Sequence, residues 1–484
     1  MSATLKHAVT HLLAESGSAL TEKINAIWRD EDLDQEQRCN KTIAIIEQQF
    51  ANQQYSDTLI SLYQALYREK EQLNNTTADR HKFIVVIPVA DRPKHLKSCL
   101  ESLLQLCNAY GYGSEQDGQY RKIAVLIADD SKASSSREKN RQIAQYYQQQ
   151  GIESIYFGQR EQQSLVAELT AKSESDLSAI LGDIETPDFF HKGASIMRNI
   201  TYLKLHQLYQ NSTEKLLFYF IDSDQEFRVN LATPQGDEHH YLINYFYHLD
   251  QIFSHSDAQI LTGKVVGDPP VSPAVMAGRL LQDLIAFFQR LNTMKAEQPC
   301  QFHGRQQTTT DGAAYHDMAD LFGFSTTPTA FEYQCLATGH HNHLACLNRF
   351  TERLNHFFDG EHPTRSSSYQ SQPLDVSITP ARTVYTGNYI FRPEMLHYFI
   401  PFAPLKLRMA GPVLGRLIKA EIGDRFISAN LPMLHRRTVE EIGQSEFRAG
   451  VDHSDQLTDI GDELERQFYG DVMLFSVTAL TEQG

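Results

Sequence analysis

Two groups of acidic residues in this sequence each follow a short, continuously apolar run. One is the pair Asp129 and Asp130, and the other is the triplet Asp222, Ser223 and Asp224. Continuous apolar runs of this length are typical of strands buried on both faces of a parallel sheet. Because ligands bind beyond the carboxyl ends of such strands, we expect both groups to face one crevice. Carboxylates spaced as Asp-x-Asp are hard oxygen ligands that suit Mg²⁺ or Mn²⁺, so Asp222 and Asp224 are candidate metal ligands and catalytic residues.

An isolated Asp-x-Asp sequence has a simpler alternative, which is a solvated turn. The residues in front of this one, 216–221, read Leu-Leu-Phe-Tyr-Phe-Ile. A buried strand of that kind fixes the direction of the carboxylates that follow it. We therefore favour a binding site over a plain turn at 222–224.

The elements that would position these residues begin at about residue 81, where short apolar runs start to alternate with helical patterns. Strands are predicted at residues 83–88, 123–128, 155–157, 216–221, 258–261, 383–391 and 431–434. Strands separated by helices predict right-handed crossovers and parallel pairing. The predicted fold class is α/β, with a doubly wound and mostly parallel sheet.

Four short motifs occur in an order that resembles GT-A-type glycosyltransferases, including the family-2-like enzymes. They are Ile-Pro-Val-Ala-Asp-Arg-Pro at 87–93, Asp-Asp-Ser at 129–131, Lys-Gly-Ala at 192–194 followed by Arg198 and Asn199, and Asp-Ser-Asp at 222–224. No motif is specific alone, but the four together in this order and spacing are more specific. The resemblance covers residues 81–270 well and 380–440 weakly.

The resemblance implies a nucleotide-sugar donor and a divalent cation, Mn²⁺ or Mg²⁺. The donor-binding residues that it implies are Pro88, Ala90, Arg92, Asp129, Asp130, Arg198, Asn199, Asp222, Ser223 and Arg436. The implied cation ligands are Asp222, Asp224 and His435, and the acceptor-side residues are Gly387, Asn388, Tyr389 and Gly411. Simpler alternatives stay open: a surface ion pair for Arg198, a loop histidine for His435, and a plain turn at 387–389.

One departure from the family pattern concerns the general base. Inverting relatives carry an acidic pair in a stretch resembling Glu-Asp-x-x-Leu-Gly-x-Arg, whereas residues 409–416 here read Met-Ala-Gly-Pro-Val-Leu-Gly-Arg. An inverting enzyme needs a base within hydrogen-bond reach of the acceptor hydroxyl. We favour a retaining enzyme, as in the mannosylglycerate and glucosyl-phosphoglycerate synthases that the chain resembles. Asp317, Asp320 and the acidic residues in 359–361 are the fallback candidates for a base.

The polar segment that precedes residue 380 is rich in cysteine and histidine. Its candidate metal ligands are Asp317, Asp320, Cys335, His340, His341, His343, Cys346, His356 and His362, with His316 beside them. Cysteine and histidine are zinc ligands, but these spacings match no closed Cys/His finger. We favour a polar acceptor pocket or surface histidines over a zinc site.

Changes in sequence texture divide the chain into five regions. They are a helical region at 1–78, the nucleotide-sugar-binding core at 81–270, a helix plus polar insertion on the acceptor side at 271–380, the C-terminal part of the core at 381–440, and an acidic, partly helical tail at 441–484. The N-terminal helices show no chemistry of their own and are a candidate surface for homo-oligomer formation.

Charge and hydropathy narrow the classes of partner and location. The chain has 44 Lys and Arg against 60 Asp and Glu, a net charge of −16, which argues against nucleic acid as the main partner. Its apolar runs are far shorter than the ~20 residues of a transmembrane helix, so we expect no such segment. Six scattered cysteines and the lack of a secretory signal predict a cytoplasmic protein with reduced thiols.

Three functions fit these observations. The first is a metal-dependent glycosyltransferase that moves a sugar from a nucleotide-sugar donor to an unknown, polar acceptor. The second is a sugar nucleotidyltransferase, although Val-Ala-Asp-Arg-Pro after the first strand is not the glycine-rich loop that would hold a triphosphate. The third is a nucleotide-sugar-binding or scaffold protein with a decayed site; the intact Asp-Ser-Asp argues against decay, and the missing base argues for it.

Overall fold

The structure is a computed structural model that describes the chain in a series of segments. These are residues 2–14, 19–73, 79–113, 118–186, 189–233, 236–268, 273–303, 333, 335, 337–354, 357, 368–384, 387–399, 405–437, 452–454 and 457–482. The fallback bases Asp317 and Asp320, the residues 359–361 and the histidines His316, His356 and His362 lie outside the described residues.

A mixed sheet of eight strands forms the centre of the molecule. In chain order the strands of the structure are β1 Lys82–Val89, β2 Ile123–Asp129, β3 Glu153–Phe157, β4 Leu216–Ile221, β5 Gln225–Glu226, β6 Val229–Thr233, β7 Gly236–His240, β8 Ile260–Thr262, β9 Val265–Gly267, β10 Thr379–Pro380, β11 Asn388–Phe391, β12 Phe426–Ser428, β13 Met433–His435, β14 Asp452–Ser454 and β15 Leu457–Asp459. The large sheet has the order β10-β12-β8-β11-β4-β1-β2-β3. Strands β4, β1, β2 and β3 are mutually parallel, whereas β11 runs antiparallel to both of its neighbours.

The α/β class predicted from the sequence is confirmed, but the sheet is mixed. In the parallel half the connections run through helices: the described residues show one helix between β1 and β2, one between β2 and β3, and three between β3 and β4. Strand β11 is instead reached through the long segment after β9, and nothing in such a connection requires a parallel return. That the sheet is of the GT-A type stays a prediction.

Helices cover the faces of the sheet and form the N-terminal region. They are α1 Ala3–Ala14, α2 Ala19–Arg29, α3 Gln35–Ala51, α4 Asp57–Leu73, α5 Pro93–Tyr110, α6 Ser134–Gln149, α7 Gln159–Lys172, α8 Ser178–Leu181, α9 Ala194–Tyr209, α10 Tyr245–His255, α11 Pro273–Leu291, α12 His343–Leu354, α13 Leu374–Ser377, α14 Ala410–Ile422 and α15 Gly461–Glu482. Short 3₁₀ helices occupy Pro393–Tyr398 and Gly423–Arg425. None of the helices in the described segments is both long and apolar enough to cross a membrane.

The apolar runs noted in the sequence are strands with two buried faces. In β1, Phe83 and Val85 belong to one hydrophobic cluster, whereas Ile84 and Val86 belong to a second cluster. Because successive side chains of a strand point to opposite faces, both clusters require apolar residues and the run has no polar alternation. Helices on both faces therefore hold the ends of β1, β2 and β4 in fixed positions.

The N-terminal helices pack on this core through α4 and α5. Leu62 and Leu66 of α4 are fully buried, and the Tyr67 ring lies 5.9 Å from that of Tyr110 at the end of α5, edge to face. The apolar stripes that identified these helices in the sequence are thus buried within the chain. Their suggested role in homo-oligomer formation stays a prediction.

A second, three-stranded sheet lies beyond the end of β4. Its order is β5-β13-β9, with β13 antiparallel to β5 and parallel to β9. Of these strands the sequence predicted only the segment around β13. Each of these strands is too short to be stable alone, so they depend on pairing with one another. Their pairing brings residues from three separate parts of the chain to one place.

Candidate functional site

The acidic triplet lies in the turn that joins β4 to β5. The Gln225 amide donates to the Asp222 carbonyl at 3.0 Å, and the Gln225 side-chain oxygen accepts from the Asp222 amide at 3.3 Å. Ser223 and Asp224, between them, are both buried. Strand β4 is fully buried along its length, so the direction of the turn is fixed by the core, as the sequence predicted.

The small sheet brings His435 to this turn. In the β13–β5 pairing His435 lies opposite Gln225, and the Arg436 amide donates to the Asp224 carbonyl at 2.9 Å. His435 is almost completely buried. The sequence placed His435 at the site by resemblance, and the structure places its Nε2 3.4 Å from Asp224 Oδ2.

Asp224 is surrounded by cationic groups on one oxygen only. Arg92 lies 3.3 Å and Arg437 lies 3.4 Å from Oδ2, the same oxygen that faces His435. Burial acts to raise the pKa of Asp224, but His435, Arg437 and Arg92 outweigh it and hold that pKa well below its ordinary value. The other oxygen, Oδ1, is buried and has no hydrogen-bond partner among the described residues. Asp224 is therefore an ionised carboxylate, and its second oxygen has unused hydrogen-bonding capacity.

The tautomer of His435 follows from its second contact. Its Nδ1 lies 2.7 Å from the Asp268 carbonyl oxygen, which can only accept a hydrogen bond. Nδ1 therefore carries hydrogen. Nε2 donates to Asp224 when it also carries hydrogen, and its lone pair would face a cation that displaced this contact. A histidine held by a backbone carbonyl in this way is typical of metal ligands. Asp224 and His435 thus fit a divalent cation as a two-residue part of its ligand set.

Asp222 has a different environment. Its Oδ1 accepts from Arg198 at 3.2 Å, so the arginine that the sequence assigned to donor binding does reach the acidic turn. Burial raises the pKa of Asp222 above its ordinary value, and the Arg198 guanidinium only partly offsets this effect. Gly387 packs directly on the same side chain: a Cβ built on it would lie 2.6 Å from Asp222 Cγ.

The region around the turn contains more positive than negative side chains. Five arginines contact three carboxylates here, those of Asp222, Asp224 and Glu226; the arginines are Arg92, Arg198, Arg228, Arg436 and Arg437. Each arginine side chain keeps between 12% and 31% of its surface exposed. In a chain of net charge −16, this local excess of cations favours an anionic ligand.

The other acidic pair, Asp129 and Asp130 at the end of β2, is hydrogen-bonded to other groups of the protein. Asp129 accepts from the Ser131 amide at 2.8 Å, from Asn140 at 3.0 Å and from the Tyr156 hydroxyl at 2.8 Å. Both of its oxygens are occupied, which supports a structural role for this side chain. Its predicted contact with the donor stays untested.

Asp130 is held by the segment that precedes α9. Lys192 donates to its Oδ1 at 2.5 Å, and the Gly193 amide lies 3.2 Å from Oδ2. The lysine and glycine that the sequence singled out therefore bind Asp130 itself. Asn199, in contrast, donates to the Ile180 carbonyl at 2.9 Å, so it bonds to α8, whereas Arg198 bonds to the acidic turn.

The loop after β1 contains a residue that the sequence analysis missed. Pro88 and Ala90 are half-buried on either side of the strand end, and Arg92 reaches Asp224. Asp91, between Ala90 and Arg92, has a positive φ of 55°. Its side chain accepts hydrogen bonds from the Lys132 and Ala133 amides at 2.9 and 3.0 Å. Asp91 thereby ties the β1 loop to the β2 loop. A single Asp in a loop carries no such signal in the sequence.

Of the predicted acceptor-side residues, Gly387 contacts the acidic turn. The other three, Asn388, Tyr389 and Gly411, contact other parts of the fold. Asn388 is fully buried, donates to the Lys264 and Leu431 carbonyls and accepts from Tyr219. The Tyr389 hydroxyl lies 2.8 Å from the Tyr202 hydroxyl, at hydrogen-bond distance, and the Tyr389 ring stacks on the Phe220 ring of β4. These bonds support structural roles, and direct contact with an acceptor stays a prediction.

Close packing requires glycine at positions 411 and 415 of the stretch 409–416, which departs from the family pattern. A Cβ on Gly411 would lie 2.3 Å from the Val384 carbonyl oxygen, and one on Gly415 would lie 2.5 Å from the Arg382 carbonyl oxygen. Arg416 donates to the same Arg382 carbonyl. These residues of α14 therefore form a close packing face for the segment before β11, whatever their part in binding.

The metal ligands assigned by resemblance converge only in part. Asp224 and His435 approach each other, but the contacts of Asp222 are with Arg198 and Gln225. Within the described segments, the one group of three or more metal-binding side chains whose ligand atoms all converge lies elsewhere, in the insertion. No protein-family model and no curated protein matches the chain.

Proposed function

We propose that the protein is a metal-dependent glycosyltransferase that uses a nucleotide-sugar donor. The observation that carries the proposal is the turn after β4, where Asp224 presents an ionised carboxylate oxygen among arginines at the end of a parallel strand. In sheets of this kind ligands bind outside the carboxyl ends of the strands. The order of the four sequence motifs supports the same reading.

The arginines would bind the diphosphate of the donor. Arg92 and Arg437 lie on Asp224, and Arg436 lies on Glu226, each at 3.3–3.4 Å. Contacts of this length are weak enough to be exchanged for phosphate oxygens, which accept bidentate hydrogen bonds from guanidinium groups. These residues would orient the donor and stabilise the leaving diphosphate.

Asp224 and His435 would hold the cation, Mn²⁺ or Mg²⁺, and Asp222 would join them on releasing Arg198. When bound, the cation neutralises negative charge that develops on the departing phosphate. Asp268 keeps the His435 ring in the tautomer whose Nε2 faces the site. Arg198 would then be free to contact the donor, as the resemblance implies.

We favour retention of configuration at the sugar. The carboxylates described near the turn, those of Asp222, Asp224, Glu226 and Asp268, each contact an arginine, so none is placed as an uncommitted base. The acceptor is expected to be polar. Proton NMR coupling constants of the product distinguish a retained from an inverted anomeric configuration.

The first test is a thermal-shift panel of UDP, GDP, ADP and CMP sugars, each with and without Mn²⁺. A ligand that binds the folded state alone adds about 2.7 kcal/mol of stability at 100 times its Kd. We expect one nucleotide class to raise the Tm, and to do so more strongly with Mn²⁺. If the Tm rises equally with and without Mn²⁺, the protein binds the donor but the proposed cation is wrong. If no nucleotide sugar raises the Tm of folded protein, the scaffold alternative is favoured.

The second test uses variants of the acidic turn. Asp224→Ala and Asp222→Ala should each lower metal-dependent donor hydrolysis or transfer by at least about 100-fold, equivalent to about 2.7 kcal/mol. The matched control is Asp424→Ala, which removes an exposed carboxylate paired with Lys419 and should leave the rate unchanged. Full activity in a folded Asp224→Ala protein would show that Asp224 is not a ligand of the catalytic cation. Pyrophosphate release from a nucleoside triphosphate and a sugar phosphate would instead favour a nucleotidyltransferase.

A further inference from the structure

Four side chains of the insertion converge outside the site described above. They are Cys300, Cys335, His341 and Cys346, and their ligand atoms all lie within 4.8 Å of one another. Cys335 and Cys346 are buried and Cys300 is half-buried. Cys300 lies 35 residues before Cys335, so the spacing gave no indication that these residues meet.

The histidine of this group is oriented by a backbone carbonyl. His341 Nδ1 lies 3.0 Å from the Gly339 carbonyl oxygen, and its Nε2 lies 3.3 Å from Cys335 Sγ. A carbonyl oxygen only accepts hydrogen bonds, so Nδ1 carries the hydrogen and Nε2 presents its lone pair to the sulfur atoms. An Nδ1–H bonded to a carbonyl oxygen is the usual way in which a metal-binding histidine is held.

Backbone hydrogen bonds fix the positions of the three cysteines. The Cys300 amide donates to the His341 carbonyl at 2.8 Å, and the Cys335 amide donates to the Phe302 carbonyl at 3.0 Å. Cys346 lies in the first turn of α12, and its amide donates to the Asn342 carbonyl at 3.0 Å. The four ligand atoms are therefore placed by main-chain structure before any ion binds.

A small hydrophobic cluster surrounds the group and is separate from the two large clusters of the sheet. Its fully apolar members include Phe287, Phe302 and Phe350, and two of its buried residues are Cys335 and Cys346 themselves. Apolar cores of this size contribute little stability, and small units of this kind usually depend on a metal or a disulfide. All six cysteines are free in the structure.

We propose that Cys300, Cys335, His341 and Cys346 bind one structural zinc ion. Three thiolates and an imidazole are the soft and borderline ligands that select zinc over Mg²⁺ or Mn²⁺. Four protein ligands fill a tetrahedral shell and leave no position for substrate, so the ion stabilises the insertion rather than taking part in chemistry. Binding displaces the thiol protons to solvent.

The experiment measures zinc in the purified full-length protein by elemental mass spectrometry. One zinc per chain is expected, and a mercurial thiol reagent should release it to a zinc-sensitive dye. Asp224→Ala should keep the zinc, so this result does not depend on the proposed function. A wild-type chain that stays zinc-free after incubation with ZnCl₂ under reducing conditions would overturn the proposal.

Matched variants assign the ligands. Cys346→Ser and His341→Ala should lose the zinc, whereas Cys107→Ala, which removes a thiol buried in α5, and His340→Ala, which removes an exposed neighbouring imidazole, should keep it. His303 provides a stricter control, because its Nε2 lies 3.3 Å from that of His341. Loss of zinc in His303→Ala but not in His341→Ala would show that the fourth ligand is wrongly assigned.

X-ray absorption of the wild-type protein tests the site even where a variant fails to fold. Three sulfur ligands at about 2.3 Å and one nitrogen at about 2.0–2.1 Å are expected. A shell of nitrogen and oxygen alone would overturn the proposal. So would a disulfide between any two of the three cysteines, found by mass spectrometry under non-reducing conditions in protein purified from cells.

Discussion

Single carboxylates in this molecule have different surroundings although their sequence contexts look alike. Asp129 ends the buried strand β2, Asp224 comes shortly after the buried strand β4, and both are nearly inaccessible to solvent. Asp129 accepts three hydrogen bonds from protein groups, whereas Asp224 keeps one oxygen without a partner in the described segments. The spare hydrogen-bonding capacity of a side chain, rather than its position after a strand, identifies the better candidate for ligand binding.

Asp129→Asn should separate the structural role from the binding role. The amide cannot accept all of the bonds from Ser131, Asn140 and Tyr156, so we expect the free energy of unfolding to fall by about 1–3 kcal/mol in urea denaturation. Tyr156→Phe, which removes one donor, should cost about 0.5–1.5 kcal/mol. Unchanged stability of Asp129→Asn together with a weaker donor-induced thermal shift would instead show that Asp129 contacts the donor.

At the scale of elements, the acidic turn depends on close packing against the loop before β11. Gly387 has φ +83°, and any Cβ there would collide with Asp222. Gly423, at the end of α14, also has a positive φ of 61° but has no atom within 4 Å of a Cβ position. The two glycines therefore share a backbone requirement and differ in their neighbours.

Gly387→Ala should impair the site more than it impairs the fold. Both Gly387→Ala and Gly423→Ala are expected to lose about 1–2 kcal/mol of stability from the left-handed backbone, and Gly387→Ala should lose more because its Cβ would also meet Asp222. Only Gly387→Ala should also displace Asp222 and lower donor turnover, by at least about tenfold, measured at a temperature where both variants are folded. Equal turnover in the two variants would mean that the Gly387 contact does not position Asp222.

Strands and some site residues could be predicted from sequence because their signals are local. The apolar runs of β1, β2 and β4 and the triplet after β4 are each contained in fewer than ten residues. Other features depend on pairing between distant segments, and no local pattern specifies them. Arg437 reaches Asp224 through the β13–β5 pairing, and Cys300 meets Cys335 through a hydrogen bond to Phe302.

The same limitation explains the residues whose roles the sequence left open. Asn388 lies in a segment predicted as a turn or as part of the acceptor site, and a polar residue there has the pattern of a binding residue. In the structure it is a buried amide that links β11 to two carbonyl groups on other segments. A polar residue that binds a ligand and one that satisfies buried backbone groups look alike until their neighbours are known.

Across the whole molecule, the N-terminal helices and the sheet are joined by a buried ion-pair network. Arg80, just before β1, donates to Glu71 of α4 at 2.8 Å and to Asp250 of α10 at 2.9 Å. Burial acts to raise the pKa of Asp250, but hydrogen bonds from His81 and Arg80 outweigh it and lower that pKa. One guanidinium therefore holds three separate parts of the chain together.

Arg80→Met should destabilise the whole protein. It would leave two buried carboxylates without their arginine, which typically costs about 3–5 kcal/mol. The control is Lys215→Met, which breaks a 3.6 Å pair with Asp79 on the surface and should cost less than about 1 kcal/mol. Chemical denaturation of both variants is the measurement, and equal losses would show that the network does not join the helices to the sheet.

The pairing of β13 with β5 has a consequence for the order of events during synthesis. Asp224 and Arg437 are 213 residues apart, so the ribosome adds all of the intervening chain before these two side chains can meet. At about 5–20 residues per second this takes roughly 10–40 s. During that interval a nascent chain can form the parallel half of the sheet, yet it lacks His435 of β13 and the two arginines that follow this strand. Translation itself therefore delays the assembly of the acidic turn with its histidine and arginines until the sheet that supports it has had time to fold.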